Sequence, residues 1–329
     1  MKKKFIDTKR WALTVLCATA LIATLSSTCV GEPDNGTKMT SEPPDYIYIA
    51  FGQSNMEGYL PSTGYSGTEW VGDNGFDTPP NNFLVMAAAN DGKNPYNRRK
   101  GEWYKAVPPL NQVGDGLSPA DFFGRTVAEA VADQGIRVGV IIVAVSGCQI
   151  VLFSKNQDVF KTYIRGQAGW MQTKANAYVD SDVTITSADF NTEDYPYKRL
   201  VDLARKAQEK GVIKGIIMHQ GESGGNLTGK TYAQTVRQIY NDLCKDLELD
   251  PRSVPFFAGQ AVGNNNSNIS SIPNAFKDIP NTAFVIPSNG CTAWNPSSSD
   301  SNDKIHFSFD GYKELGKRYG QKMLELLGD

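Results

Sequence analysis

The chain has 329 residues, 40% of them hydrophobic and 21% charged, with a formal net charge of -2. That length suffices for one large domain or two modest ones with a buried core. The near balance of acidic and basic side chains supplies no basic field, which argues against a nucleic-acid partner, and no charged block suggests an interaction tail.

At the N-terminus, Lys2-Lys3-Lys4 and Lys9-Arg10 precede an apolar run from Trp11 to Leu25 and then Ser26-Ser27-Thr28-Cys29. This basic, apolar, small-residue order is that of a secretory signal. The run is shorter than the ~20 residues that a bilayer span takes. A signal over residues 1–29 is therefore expected, with an exported product that is periplasmic or held as an outer-membrane or cell-surface lipoprotein. Cys29 stands where a lipoprotein signal carries its acylated cysteine, although Thr28 is larger than the residue usual before it; an ordinary signal cleaved nearby is the alternative. Residues 30–44, with Glu32-Pro33 and Glu42-Pro43-Pro44, read as a flexible tether. Residues 45–329 then form one folded domain. Within it Cys148, Cys244 and Cys291 are too scattered for a disulfide framework or a metal-ligand spacing.

Five short apolar runs read as buried parallel strands: Tyr46–Phe51, Val138–Val145, Ile213–Met218, Val254–Ala258 and Ala283–Ile286. They are β-branched, show little polar alternation and are bounded by Gly, Pro or polar residues. Helical patterns lie between them. Ser118-Pro119 offers a cap followed by proline at the first helical position, and the helix runs to Gln134 before Gly135. Others cover Tyr197–Lys210, Thr231–Leu247 and Gly311–Leu327, the last with Tyr312, Leu315, Tyr319, Met323 and Leu327 on one face. Such alternation predicts a three-layer α/β/α sandwich around a central parallel sheet. Ligands in these folds bind at the carboxyl ends of the strands. Segments 59–117 and 146–196 are longer than ordinary connections and are expected to form walls or a lid of the site.

The first strand ends in Gly52-Gln53-Ser54-Asn55. Ser54 is either a turn residue or a nucleophile, and Met56 stands where a Gly-x-Ser-x-Gly elbow has its second glycine. A serine nucleophile needs a base, and the chain has two histidines, His219 and His306. His306 ends Asp303-Lys304-Ile305-His306, where a carboxylate one turn earlier can orient the imidazole. His219 opens His219-Gln220-Gly221-Glu222-Ser223 after the third strand and reads as a structural residue. In that cluster Gln220 is able to donate to an oxyanion and Glu222 to orient a histidine. Gly147, after the second strand, lets backbone approach a ligand and offers a further N–H. Cys148 beside it has no adjacent base in sequence and is the weaker nucleophile. No ligand cluster points to a metal.

Gly-Gln-Ser-Asn-Met at 52–56, His-Gln-Gly-Glu-Ser at 219–223 and Asp-x-x-His at 303–306 together resemble the signature blocks of the sialate O-acetylesterase and acetylxylan esterase-like family, a branch of the SGNH hydrolases. The resemblance covers the chain from Asp45 onward and implies the flavodoxin-like SGNH sandwich. It implies Ser54 as nucleophile and His306 as base, with Asp303 orienting His306 and Glu222 a rival for that acid role. Gly147, Gln220 and the Ser54 N–H would form the oxyanion hole, and Asn55 would brace the serine turn. The implied reaction removes acetyl groups from carbohydrate hydroxyls through an acetyl-enzyme, with neither metal nor organic cofactor. Trp70, Trp103, Tyr104, Trp170 and Trp294 are candidates to stack on sugar rings, packing within the inserts being the plainer role for each. The rival functions are a general short-chain ester or thioester hydrolase and a non-catalytic glycan-binding lipoprotein.

Overall fold

In the computed structural model, which describes residues 39–58, 78–90, 97–111, 116–166, 195–223, 225–264, 267–294 and 303–328, each of the five apolar runs is a strand. They are β1 (Tyr46–Gly52), β4 (Val138–Ala144), β5 (Val212–His219), β6 (Phe256–Gly259) and β7 (Ala283–Ile286). Two more, β2 (Phe83–Met86) and β3 (Trp103–Lys105), extend one edge. The seven-stranded sheet has the order β3-β2-β4-β1-β5-β6-β7. Only β3 runs antiparallel, pairing Val85 with Tyr104. The strands β4-β1-β5-β6-β7 alone form a flavodoxin-like order, with β1 second in the row and the direction of winding reversing beside it.

Alternation along β1 sorts the core into two layers. Ile47, Ile49 and Phe51 face one side, and Tyr48 and Ala50 the other. The first side is covered by α3 (Gln157–Arg165), α4 (Pro196–Gln208) and α5 (Gly229–Asp246), which bury residues such as Phe160, Leu200 and Val236. The second is covered by α2 (Pro119–Ala130) and α8 (Phe309–Leu327), through Phe123, Val127, Leu315 and Tyr319. Helix α2 starts as the sequence signals: the Ser118 side chain accepts from the Ala120 N–H at 3.2 Å, and Asp121 Oδ2 accepts from the Ser118 N–H at 2.9 Å. Three short helices, α1 (Ser54–Glu57), α6 (Ser267–Ser270) and α7 (Ile272–Ala275), complete the described α-helices.

The reading of 59–117 and 146–196 as walls or lid needs correction where these segments are described. Their apolar stretches belong to the sheet and core. Strand β2 lies inside the sheet between β3 and β4, and Phe153 and Phe160 are buried with the α4 and α5 layer. The four residues Phe83–Met86 run on into Ala87-Ala88-Ala89 with no turn residue to bound them as a strand, and the Trp-Tyr-Lys of β3 is too short to stand out. Residues 59–77, 91–96, 112–115 and 167–194 lie outside the described residues. At the start of the described chain, Met39 bridges to Tyr104 and the Thr40 N–H donates to Trp103 O at 2.9 Å. The last part of the segment read as a tether thus runs along the β3 edge.

Candidate active site

The carboxyl end of β1 is flanked by those of its two neighbours, since Gly52 pairs with Ala144 of β4 and with His219 of β5. A side chain at Gly52 would put its Cβ 2.0 Å from the His219 carbonyl oxygen, so only glycine fits. The chain then turns: the Gln53 N–H donates to His219 O at 3.1 Å, and Ser54 opens the single turn of α1, which Gly58 closes at φ 100°. Ser54 is 5% exposed. Its hydroxyl lies 2.8 Å from His306 Nε2, and His306 Nδ1 lies 2.6 Å from Asp303 Oδ2. The other Asp303 oxygen accepts the Ile305 and His306 N–H groups at 2.8 and 3.0 Å. Burial pushes the Asp303 carboxyl up, but these three donors outweigh it and hold the group below the usual carboxylate range. A carboxylate accepts only, so the network assigns the imidazole proton to Nδ1 and leaves Nε2 to accept from the serine hydroxyl.

The loop carrying His306 is fastened on both sides. The Trp294 N–H donates to His306 O at 2.8 Å, and Ala293 bridges Phe307. From the other side Asn55 reaches across: its Nδ2 donates to Ile305 O at 3.0 Å and its Oδ1 accepts the Phe307 N–H at 3.3 Å. The same amide nitrogen donates to Glu222 Oε1 at 2.6 Å, and the Tyr312 hydroxyl donates to the amide oxygen at 2.8 Å.

Gly147 sits in the turn after β4 at φ 70°, a left-handed conformation that favours glycine. Among the described residues neither its N–H nor that of Ser54 has an acceptor within the protein. Both belong to neighbouring strand ends, as the Val145 N–H bonded to Gly52 O at 3.1 Å attests. Gln220, expected as a third donor to an oxyanion, is differently employed. Its amide nitrogen donates to Gln53 Oε1 at 3.1 Å and to Cys148 O at 3.0 Å, and its oxygen accepts the Tyr232 hydroxyl. Both amide hydrogens are engaged in tying three strand ends together. Flipping the amide would set its oxygen against two acceptors, so the Gln220 side chain has no N–H left for a ligand.

Glu222 and Asp303 separate clearly. Glu222 Oε1 lies 3.2 Å from Nε2 of His219, the other histidine, whose Nδ1 is 3.5 Å from the Tyr319 hydroxyl. His219 is fully buried, in keeping with its reading as a structural residue. Burial raises the Glu222 carboxyl, but His219 and the Asn55 amide bring it net below the usual range. Cys148 is fully buried with its thiol on Gly52 O at 3.7 Å. Burial and the charges of Glu57 and Glu222 push that thiol well above its ordinary pKa, so it stays protonated and a poor nucleophile.

Of the candidate aromatic residues, Trp103 and Tyr104 are core residues of β3. Trp294 is half-buried beside His306, and Trp70 and Trp170 lie outside the described residues. Among the described residues no trio of His, Cys, Asp or Glu is grouped to hold a metal ion. Gln53, Tyr232, Tyr312 and Tyr319 are further parts of the site that no motif in the sequence singles out. Tyr312 and Tyr319 share the apolar face of α8 and read there as packing; their hydroxyls give no signal of their own.

A serine, histidine and carboxylate aligned at the switch point of a doubly wound sheet have the form of an ester hydrolase site. The model of the carbohydrate esterase family of sialic acid-specific acetylesterases matches residues 44–325, and the chain belongs to that family. It is a carboxylic-ester hydrolase of the carbohydrate esterases. A solved structure of a protein from Arabidopsis thaliana is similar at 16% identity with a TM-score of 0.53, over 86% of this chain and 99% of that one. A carbohydrate acetylesterase from Xanthomonas citri is similar at 16% identity and a TM-score of 0.52, over 86% of this chain and 57% of that one. This chain therefore matches little more than half the length of the Xanthomonas protein. At such identities the two likenesses speak to the fold, which they share.

Proposed function

We propose that the protein is a carbohydrate O-acetylesterase acting through an acetyl-enzyme on Ser54. The observation that carries this reading is the unbroken chain Ser54 Oγ–His306–Asp303, with contacts of 2.8 and 2.6 Å. His306 Nε2 takes the serine proton as Oγ attacks the acetyl carbonyl carbon. The Asp303 carboxylate stays ionised and stabilises the imidazolium. The oxyanion accepts from the Ser54 and Gly147 N–H groups, which have no other acceptor among the described residues. His306 then gives its proton to the sugar oxygen as the C–O bond breaks and the deacetylated alcohol leaves. Water, deprotonated by the same imidazole, hydrolyses the acetyl-serine to acetate and restores the serine. Every proton is accounted for by these groups. Glu222 takes no part as the triad acid in this scheme, because its contacts are with His219 and Asn55.

Family membership and the half-buried Trp294 beside His306 support a sugar as the alcohol part, of the acetylxylan or sialic acid type. The proposal includes export by residues 1–29 and a lipid anchor at Cys29, supported by the basic, apolar, small-residue order there. The test compares acetate release from acetylated xylan, O-acetylated sialic acid and a simple aryl acetate by wild type and Ser54→Ala. Preference for an acetylated sugar and an inactive variant are expected. Equal efficiency on all three substrates would favour a general short-chain esterase. Sugar binding without acetate release would favour a glycan-binding protein.

A further inference from the structure

The Glu222 side chain carries a buried carboxylate that the proposed reaction leaves without a role, and it is incompletely satisfied. Its Oε1 serves Asn55 and His219, while its Oε2 is buried with no hydrogen-bond partner among the described residues. A buried carboxylate kept in that condition calls for a reason. Resting on the function proposed above, we propose that Glu222 is a positioning residue: it sets the orientation of the Asn55 amide, and that amide aligns His306 with Ser54.

The polarity of its partners fixes the orientation of the amide. Asn55 is fully buried and has a donor end and an acceptor end. Its donor end faces two groups that only accept, the Glu222 carboxylate at 2.6 Å and the Ile305 carbonyl at 3.0 Å. Its acceptor end faces the Phe307 N–H at 3.3 Å and the Tyr312 hydroxyl at 2.8 Å. Ile305 O and Phe307 N belong to the residues on either side of His306, so the amide grips the base's own backbone. Asn55 follows Ser54 directly in the chain, whereas Ser54 and His306 are 252 positions apart. The amide is thus a direct tie between nucleophile and base. Rotated by half a turn it would set oxygen against two acceptors and nitrogen against the Phe307 N–H. An ionised carboxylate forbids that rotation because it cannot donate. The imidazole on its far side, His219, keeps the carboxylate charged and in place.

The test uses a polarity swap in the full-length protein. Asn55→Asp keeps the shape but turns an oxygen toward Glu222 and Ile305 O. A loss on the order of 10²–10³ in kcat, with KM little changed, is expected from misalignment of the base. In Asn55→Asp/Glu222→Gln the glutamine amide donates to the new carboxylate, and His219 accommodates it by exchanging tautomers. Recovery of kcat by about tenfold or more over Asn55→Asp is expected, a sign of coupling that mere loss of packing does not produce. A double variant no better than Asn55→Asp, with both folded by near-ultraviolet circular dichroism, overturns the inference. Should Asn55→Asp fail to fold, Tyr312→Phe removes one donor to the amide. About a threefold or greater fall in kcat at constant KM is then expected, and an unchanged kcat overturns the proposal. Ser54→Ala separates the two levels. If it retains activity the proposed reaction fails, whereas if it is inactive and the swap gives no recovery, only this inference fails.

Discussion

Replacing Asp303 by asparagine tests the assignment of the acid through a consequence the geometry dictates. The carboxylate accepts the Ile305 and His306 N–H groups on Oδ1 and the His306 ring on Oδ2. Two backbone donors demand an oxygen, so an asparagine must keep its carbonyl there and turn its NH₂ toward His306 Nδ1. The ring can meet that NH₂ only with a bare Nδ1, which moves its proton to Nε2. Nε2 then points a hydrogen at Ser54 Oγ, 2.8 Å away, and has no lone pair with which to accept the serine proton. An error of tautomer in a comparable triad lowers turnover about 10⁴-fold, or roughly 5.5 kcal/mol of barrier. The assay is steady-state acetate release from an acetylated sugar, with fold verified by circular dichroism. Glu222→Gln, which leaves the ring's own partner intact, is expected to cost clearly less. Asp303→Asn within tenfold of wild type, or a larger loss from Glu222→Gln, would refute the reasoning and return the acid role to Glu222.

Trp294→Ala is expected to raise KM for an acetylated oligosaccharide by about tenfold while leaving an aryl acetate nearly unaffected, as loss of a stacking face would; equal effects on both would remove Trp294 from sugar binding. Asp121, buried at the start of α2, has its carboxyl raised to about 6 by burial, which outweighs its Ser118 bonds and the nearby Arg125. A raised acid favours the folded state at low pH and loses that contribution as pH climbs from about 4 through about 6, so this group alone makes the protein roughly 1–2 kcal/mol less stable at pH 8 than at pH 5. Chemical denaturation of Asp121→Asn should show that slope removed, and an unaltered slope counts against it. Cys29→Ser is expected to move the protein from the membrane fraction to the soluble exported fraction, without change in specific activity; an unchanged membrane fraction contradicts acylation at that cysteine.

Much of the sheet and of the candidate site was legible because each rests on a local signal. The strand β1 reads as Tyr-Ile-Tyr-Ile-Ala-Phe and is buried on both faces, the condition under which a parallel strand becomes a continuous apolar run. Its neighbours β4 and β5 share that condition. The polar residues that follow these strands, together with Asp303 and His306 before α8, are those that meet at the switch point. What was not legible depends on partners distant in sequence. Strand β2 becomes recognisable only through its pairing with β4 on one side and β3 on the other. The duty of Gln220 is decided by Gln53 and by Cys148 O, and no property of the string His-Gln-Gly-Glu reveals that both hydrogens are engaged. Asp303 and Glu222 each stand three residues from a histidine, and only the folded geometry tells which histidine faces Ser54. Trp103 packs across Gly139 in the core, the plainer of the two roles its sequence allows.

The central claim is that Ser54 carries the acetyl group during turnover. Its most direct test is inhibition with a serine-directed organophosphate followed by mass spectrometry of the labelled peptide. The account predicts complete loss of acetate release with one adduct on Ser54, protection by an acetylated sugar, and no adduct or turnover in Ser54→Ala. An adduct elsewhere, or undiminished acetate release by Ser54→Ala, would contradict it.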